Sequence, residues 1–71
     1  MKKLILIEFG RRIRYRRIKL GLSQESLADI AGVHRTYIGM IERAEKNITL
    51  ESMEKLGKAL NVKITKLLRG W

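Results

Sequence analysis

The chain has 71 residues, 16 of them Lys or Arg against 7 Asp or Glu, for a net charge of +9, and it contains neither cysteine nor proline. That length allows one domain with a small core, burying about 60% of its unfolded surface. With disulfides and thiolate metal sites excluded, oligomerisation is the remaining source of stability, and the charge favours a polyanionic partner, nucleic acid ahead of an anionic membrane.

The opening MKKLILIEF looks like a signal peptide, but Glu8 and then Arg11 and Arg12 cut its apolar run short. No stretch approaches the ~20 apolar residues of a membrane span, so a cytoplasmic protein without a membrane partner is expected. Residues 3 to 20 read as a first helix, with Leu6, Phe9, Ile13, Arg17 and Leu20 at three- and four-residue steps. Arg17 interrupts this apolar stripe, and a charge there needs a partner. Arg11, Arg12, Arg14, Arg16 and Lys19 are spread around the helix and cannot all face one duplex. Arg17 or Lys19, near its C-terminal end, is expected to touch phosphate. Leu4, Ile5 and Ile7 exceed what one apolar face needs; they either cap the core or meet a second subunit.

Gly21 ends this helix and Leu22 plugs the core. Ser23 caps a second helix over Gln24 to Ile30. Its free N–H groups and positive dipole end favour a phosphate near Ser23 and Gln24. Ala31-Gly32-Val33 is the break, with Gly32 taking the positive φ of a tight turn. A third helix starts at Val33 or His34 and runs through Arg43. Leu27 and Ala28 face inward from one helix, Ile38 and Ile41 from the other, and the small Ala28 suits a steep crossing. Residues 23–43 therefore form a helix-turn-helix, which lays its second helix in the major groove of double-stranded DNA.

Arg35 falls at the exposed start of that helix, and its guanidinium fork matches guanine O6 and N7. Thr36 offers a methyl to thymine or a hydroxyl to phosphate; Tyr37 offers a ring and a hydroxyl. Gly39 costs about 1 kcal/mol against alanine within a helix, which suggests close approach to the DNA backbone. His34, the only histidine, has no ligand set and reads as a capping residue. No pair of acid and base groups and no phosphate-cradling loop is visible, so neither an enzyme nor a metal or other cofactor is expected.

Arg43, Lys46 and Asn47 follow the reading helix and should face phosphate, with Asn47 best able to adopt the left-handed turn conformation. Thr49 caps a fourth helix, Leu50 to Leu60, whose inner stripe is Leu50, Met53, Leu56, Gly57 and Leu60. Ser52 lies near the loop, within reach of phosphate. Asn61 stops this helix, Val62 and Ile64 return to the core, and a short fifth helix runs to Arg69. Ile64, Leu67 and Leu68 are more than one small face needs. Trp71 is read either as frayed or as covering a seam between subunits.

Gln24, Ala28, Gly32, Val33, Ile38 and Ile41 resemble the pattern of the phage-repressor (Cro and lambda-repressor-like) helix-turn-helix family, and HRTYIGMIERAEKNITLE resembles the controller proteins of restriction–modification systems within it. The resemblance covers roughly Ile13 to Leu68. It implies an all-α, compact five-helix fold in a single domain spanning residues 1–71. It also implies an ion pair between Arg17 and Glu42, and base reading by Met40 beside Arg35, Thr36 and Tyr37. Gln24 would grip the DNA backbone and brace the reading helix, and Ser52 would touch phosphate. Glu25 and Asp29 would form an activating patch for RNA polymerase, and Ile64, Leu67 and Leu68 a homodimer interface. The family usually has glycine where Ala44 stands here. The function implied is transcriptional control by a dimer on a palindromic operator, most like a restriction–modification controller acting on its own operon; an antitoxin or a phage-type repressor is the alternative.

Overall fold

In the computed structural model, residues 3–68 are described, and they are all-helical: α1 (Leu4–Lys19), α2 (Gln24–Ala31), α3 (Arg35–Glu42), α4 (Leu50–Ala59) and α5 (Ile64–Leu67). The expected extension of the last helix to Arg69, and Trp71, lie outside the described residues.

Local chemistry sets both ends of most helices. Ser23 Oγ accepts from the Ser26 N–H at 2.9 Å, His34 Nδ1 from Thr36 N–H at 3.1 Å and Thr49 Oγ1 from Ser52 N–H at 3.1 Å, so α2, α3 and α4 each start on a side-chain cap. The four interhelix turns share one device. Each places a residue in the left-handed region: Gly21 and Gly32 at φ +74°, Ala44 at +58° and Asn61 at +56°. The next N–H then reaches back five residues, Leu22 to Arg17, Val33 to Ala28, Glu45 to Met40 and Val62 to Gly57, at 2.8–3.0 Å.

Ala44, and not Asn47, therefore takes the left-handed conformation after α3. The turn has to close immediately behind the last helical residue, and Asn47 comes three residues too late. An alanine there is strained by about 1–2 kcal/mol, which explains why the family position suits glycine. Ala44→Gly should raise stability by about 0.5–1 kcal/mol, the relief of strain exceeding the greater freedom of the unfolded chain. Thermal melts would register about 4–8 °C per kcal/mol. An unchanged midpoint would mean that the buried Ala44 methyl matters as much as the strain.

The core joins Phe9 and Ile13 of α1, Leu27, Ala28 and Ala31 of α2, Ile38 and Ile41 of α3, Leu56 and Leu60 at α4, and Leu67 of α5. α3 packs on α2 and α1, α4 on α2, and α5 closes against α4 and α1. Two members of the expected stripes are exposed. Leu20 is exposed because it follows the last turn of α1, and Leu50 is 73% exposed because it is the first residue of α4.

Leu67 corrects a further expectation. At 4% exposure it belongs to the core of its own chain and is not free to face a second subunit. Ile64 and Leu68 remain half-buried. Two arginines hold this end in place: Arg12 donates to the Leu67 carbonyl at 2.8 Å and Arg16 to the Leu60 carbonyl at 3.1 Å. Both carbonyls sit at helix C-termini, where a cation meets the negative dipole end.

Two glycines allow backbone contact. A Cβ on Gly10 would lie 2.4 Å from the Ile41 carbonyl oxygen and 3.0 Å from that of Glu42, so α1 and α3 touch there. A Cβ on Gly57 would lie 2.8 Å from the Val62 oxygen, where the chain folds back under α4.

Candidate nucleic-acid interface

α3 is anchored on its inner side and open at its start. Ile38 and Ile41 are buried, while Arg35 and Thr36 are exposed and Tyr37 and Met40 are half-buried. The anchor continues at the other end of the helix. Arg17 Nε donates to Glu42 Oε2 at 2.7 Å and Arg17 Nη2 to Glu42 Oε1 at 3.0 Å, a two-point pair whose side chains are 11% and 3% exposed. Gln24 Nε2 adds a third bond to Glu42 Oε1 at 3.1 Å, and Arg17 Nη1 donates to the Leu22 carbonyl at 2.9 Å. The hydrogen bond to Glu42 raises the Arg17 guanidinium above its already high ordinary pKa, against the opposing effect of burial. Its charge therefore persists across the working pH range.

This geometry separates two roles expected of Arg17. It forms the pair with Glu42, but a guanidinium held by a carboxylate and a carbonyl beneath the surface is poorly placed for phosphate. Gln24 does brace the reading helix, linking the start of α2 to the end of α3. Gly39 lies over this link: a Cβ there would meet Arg43 Nη1 at 2.9 Å and Gln24 Oε1 at 3.5 Å. The glycine thus makes room inside the protein, where sequence reading assigns its small size to close approach by DNA.

Ser23, Lys46 and Asn47 are exposed, and Ser52 is half-buried. Lys46 Nζ stands 5.8 Å from the centre of the Tyr37 ring, a cation–π contact that ties the loop after α3 to the first half of that helix. Two further pairs were not anticipated. Arg35 Nη1 meets Glu25 Oε2 at 3.0 Å across the helix-turn-helix, and Arg43 Nε meets Glu45 Oε1 at 3.0 Å. Both are exposed, and such pairs contribute about 1 kcal/mol or less, so Arg35 can leave Glu25 for a base edge at little cost. Opposite charges ten residues apart were the only sequence signal for that pair. Asp29 is exposed.

Among the described residues no helix is long and apolar enough to cross a membrane, and no group of His, Asp and Glu side chains is arranged to hold a metal ion.

A helix-turn-helix family model matches residues 13–67. The chain is 57% identical over 54 residues to control protein C.SmaI of Serratia marcescens; the match covers 76% of this chain and 63% of that protein, less than two thirds of its length. Control protein C.BamHI of Bacillus amyloliquefaciens is 45% identical over 65 residues, 90% of this chain and 80% of that protein. Among solved structures, the restriction-modification controller protein C.AhdI from Aeromonas hydrophila aligns with a TM-score of 0.85 at 42% identity, covering 87% of this chain and 94% of that one.

Proposed function

The chain belongs to the helix-turn-helix family, and from that premise we propose that it is a DNA-binding transcription regulator controlling a restriction–modification operon, its own promoter included. It works in the cytoplasm as a homodimer on a palindromic operator, with half-sites about one helical turn apart. Ser23, Gln24, Arg43, Lys46, Asn47 and Ser52 position the protein on phosphates, while Arg35, Thr36, Tyr37 and Met40 read bases. The observation that carries this reading is the pose of α3, buried through Ile38 and Ile41 and open at Arg35 and Thr36.

The subunit contact draws on Ile64 and Leu68, and in place of Leu67 it takes Ile5, which lines the same surface depression as Leu68. RNA polymerase is met through Asp29 and Glu25, the latter released when Arg35 leaves it for a base edge. The test is selection of bound duplexes from a random pool, repeated with Arg35→Ala. The variant should lose about 1–3 kcal/mol, roughly 5- to 150-fold in affinity, and relax its preference at one guanine in each half-site. An identical selected sequence with both proteins would remove Arg35 from the reading role.

A further inference from the structure

The reading face does not account for the basic charge of this protein. Arg35 and Arg43, its two arginines outside the core, are each paired with a glutamate. Lys46, set over the Tyr37 ring, is the cation of that face without a carboxylate partner among the described residues, and further unbalanced cations lie elsewhere. Arg14, Lys19 and Lys66 have no carboxylate partner among the described residues, and all three line an open groove of about 560 Å³ between α1 and α5. The one carboxylate of this groove, Glu8, pairs with Arg11 and Arg12.

The groove is also apolar. Tyr15 is 69% exposed and Ile18 is 52% exposed, and both line it. Lys19 Nζ stands 6.0 Å from the centre of the Tyr15 ring. At about 3.6 residues per turn, Tyr15 lies on the side of α1 opposite Gly10 and Arg17, the residues that meet α3. The groove therefore stays open when α3 is engaged. Its wall is held by the bonds from Arg12 and Arg16 to the carbonyls of Leu67 and Leu60, so it exists before any partner arrives.

We propose that this groove docks an acidic amphipathic helix of a partner protein, whose apolar side chains cover Tyr15 and Ile18 and whose carboxylates meet Arg14, Lys19 and Lys66. The apolar floor decides against a second duplex, because a phosphate track gains little from an isoleucine, whereas a helix laid in a groove needs apolar anchors within a charged rim.

The test uses the whole protein, isotope-labelled, and three probes: a synthetic peptide with leucines at i, i+3, i+4 and i+7 and glutamates elsewhere, polyglutamate of equal length, and a mixed-sequence duplex. The amphipathic peptide should shift the amide signals of Tyr15, Ile18 and Lys66 and bind about tenfold or more tightly than polyglutamate, the difference expected from burying one or two apolar side chains. Ile18→Glu should remove that advantage while the thermal midpoint of the protein stays in place. Arg14→Glu, which leaves the apolar floor intact, should weaken both peptides.

Four results would overturn the proposal. The first is equal binding of polyglutamate, which makes the face a plain charge. The second is displacement of the peptide from these residues by the duplex, which makes it a nucleic-acid surface. The third is peptide-induced shifts confined to α2 and α3. The fourth is a changed sedimentation rate for Ile18→Glu alone, which would assign the groove to contact between copies of this chain.

Discussion

Glu42→Ala should lower stability by about 3–5 kcal/mol, the cost of leaving a buried charge without its partner. A chain of this length has only about 4–10 kcal/mol to lose, so the variant should melt tens of degrees lower or fail to fold at ambient temperature. The carboxylate is 3% exposed and accepts three bonds, two from Arg17 and one from Gln24. Removing it strands a guanidinium under α3 and releases the α2 side chain that braces the reading helix. Glu42→Gln keeps the shape and part of the acceptor capacity and should lose less. Arg17→Met combined with Glu42→Leu removes both charges at once and should recover much of the loss, because apolar replacement of an entire buried pair is often neutral. Urea unfolding of the singles and the double gives the coupling energy directly. If Glu42→Ala stays within about 1 kcal/mol of the parent, the pair behaves as an exposed one and the anchoring of α3 rests on apolar packing alone.

The second large effect is expected at Gly10, and here two physical arguments give opposite signs. Helix propensity alone predicts that Gly10→Ala stabilises α1 by about 1 kcal/mol. Packing predicts a loss, because the new methyl would sit 2.4 Å from the Ile41 oxygen and 3.0 Å from the Glu42 oxygen. Both atoms are backbone, so no side chain can swing aside, and α1 and α3 must separate. Overpacking of this kind costs about 1–3 kcal/mol net, and a larger side chain at the same place costs more. The displacement falls on the helix that carries Arg35, so DNA affinity should decline with the thermal midpoint. A higher midpoint for Gly10→Ala would mean that the two helices part easily and that the close approach is incidental.

These two residues also mark how far the chain could be read in advance. Arg17 interrupts an apolar stripe and so calls for a partner, but its pairing with Glu42 follows from resemblance to a family and not from spacing. Gly10 sits in the same helix and gave no comparable signal beyond being a poor helix former. The start of α3 shows the same division. The exposure of Arg35 is legible from its place after a capped turn, whereas its pairing with Glu25 depends on how α2 and α3 cross.

What the sequence by itself determined is everything governed by neighbours within about five residues: the caps at Ser23 and Thr49, the turn at Gly32, the apolar faces of α2 and α3, and the exposed start of the reading helix. Only the tertiary structure decided that Leu67 turns into the core, that Ala44 and not Asn47 bends the chain, and that Gly39 accommodates Gln24 and Arg43. It alone showed the basic groove behind α1. Capping, backbone φ and periodicity act locally and are written residue by residue. Contacts such as Gly10 with Ile41 or Arg12 with Leu67 join positions far apart in the chain, and they are set by the angle and distance at which whole helices pack.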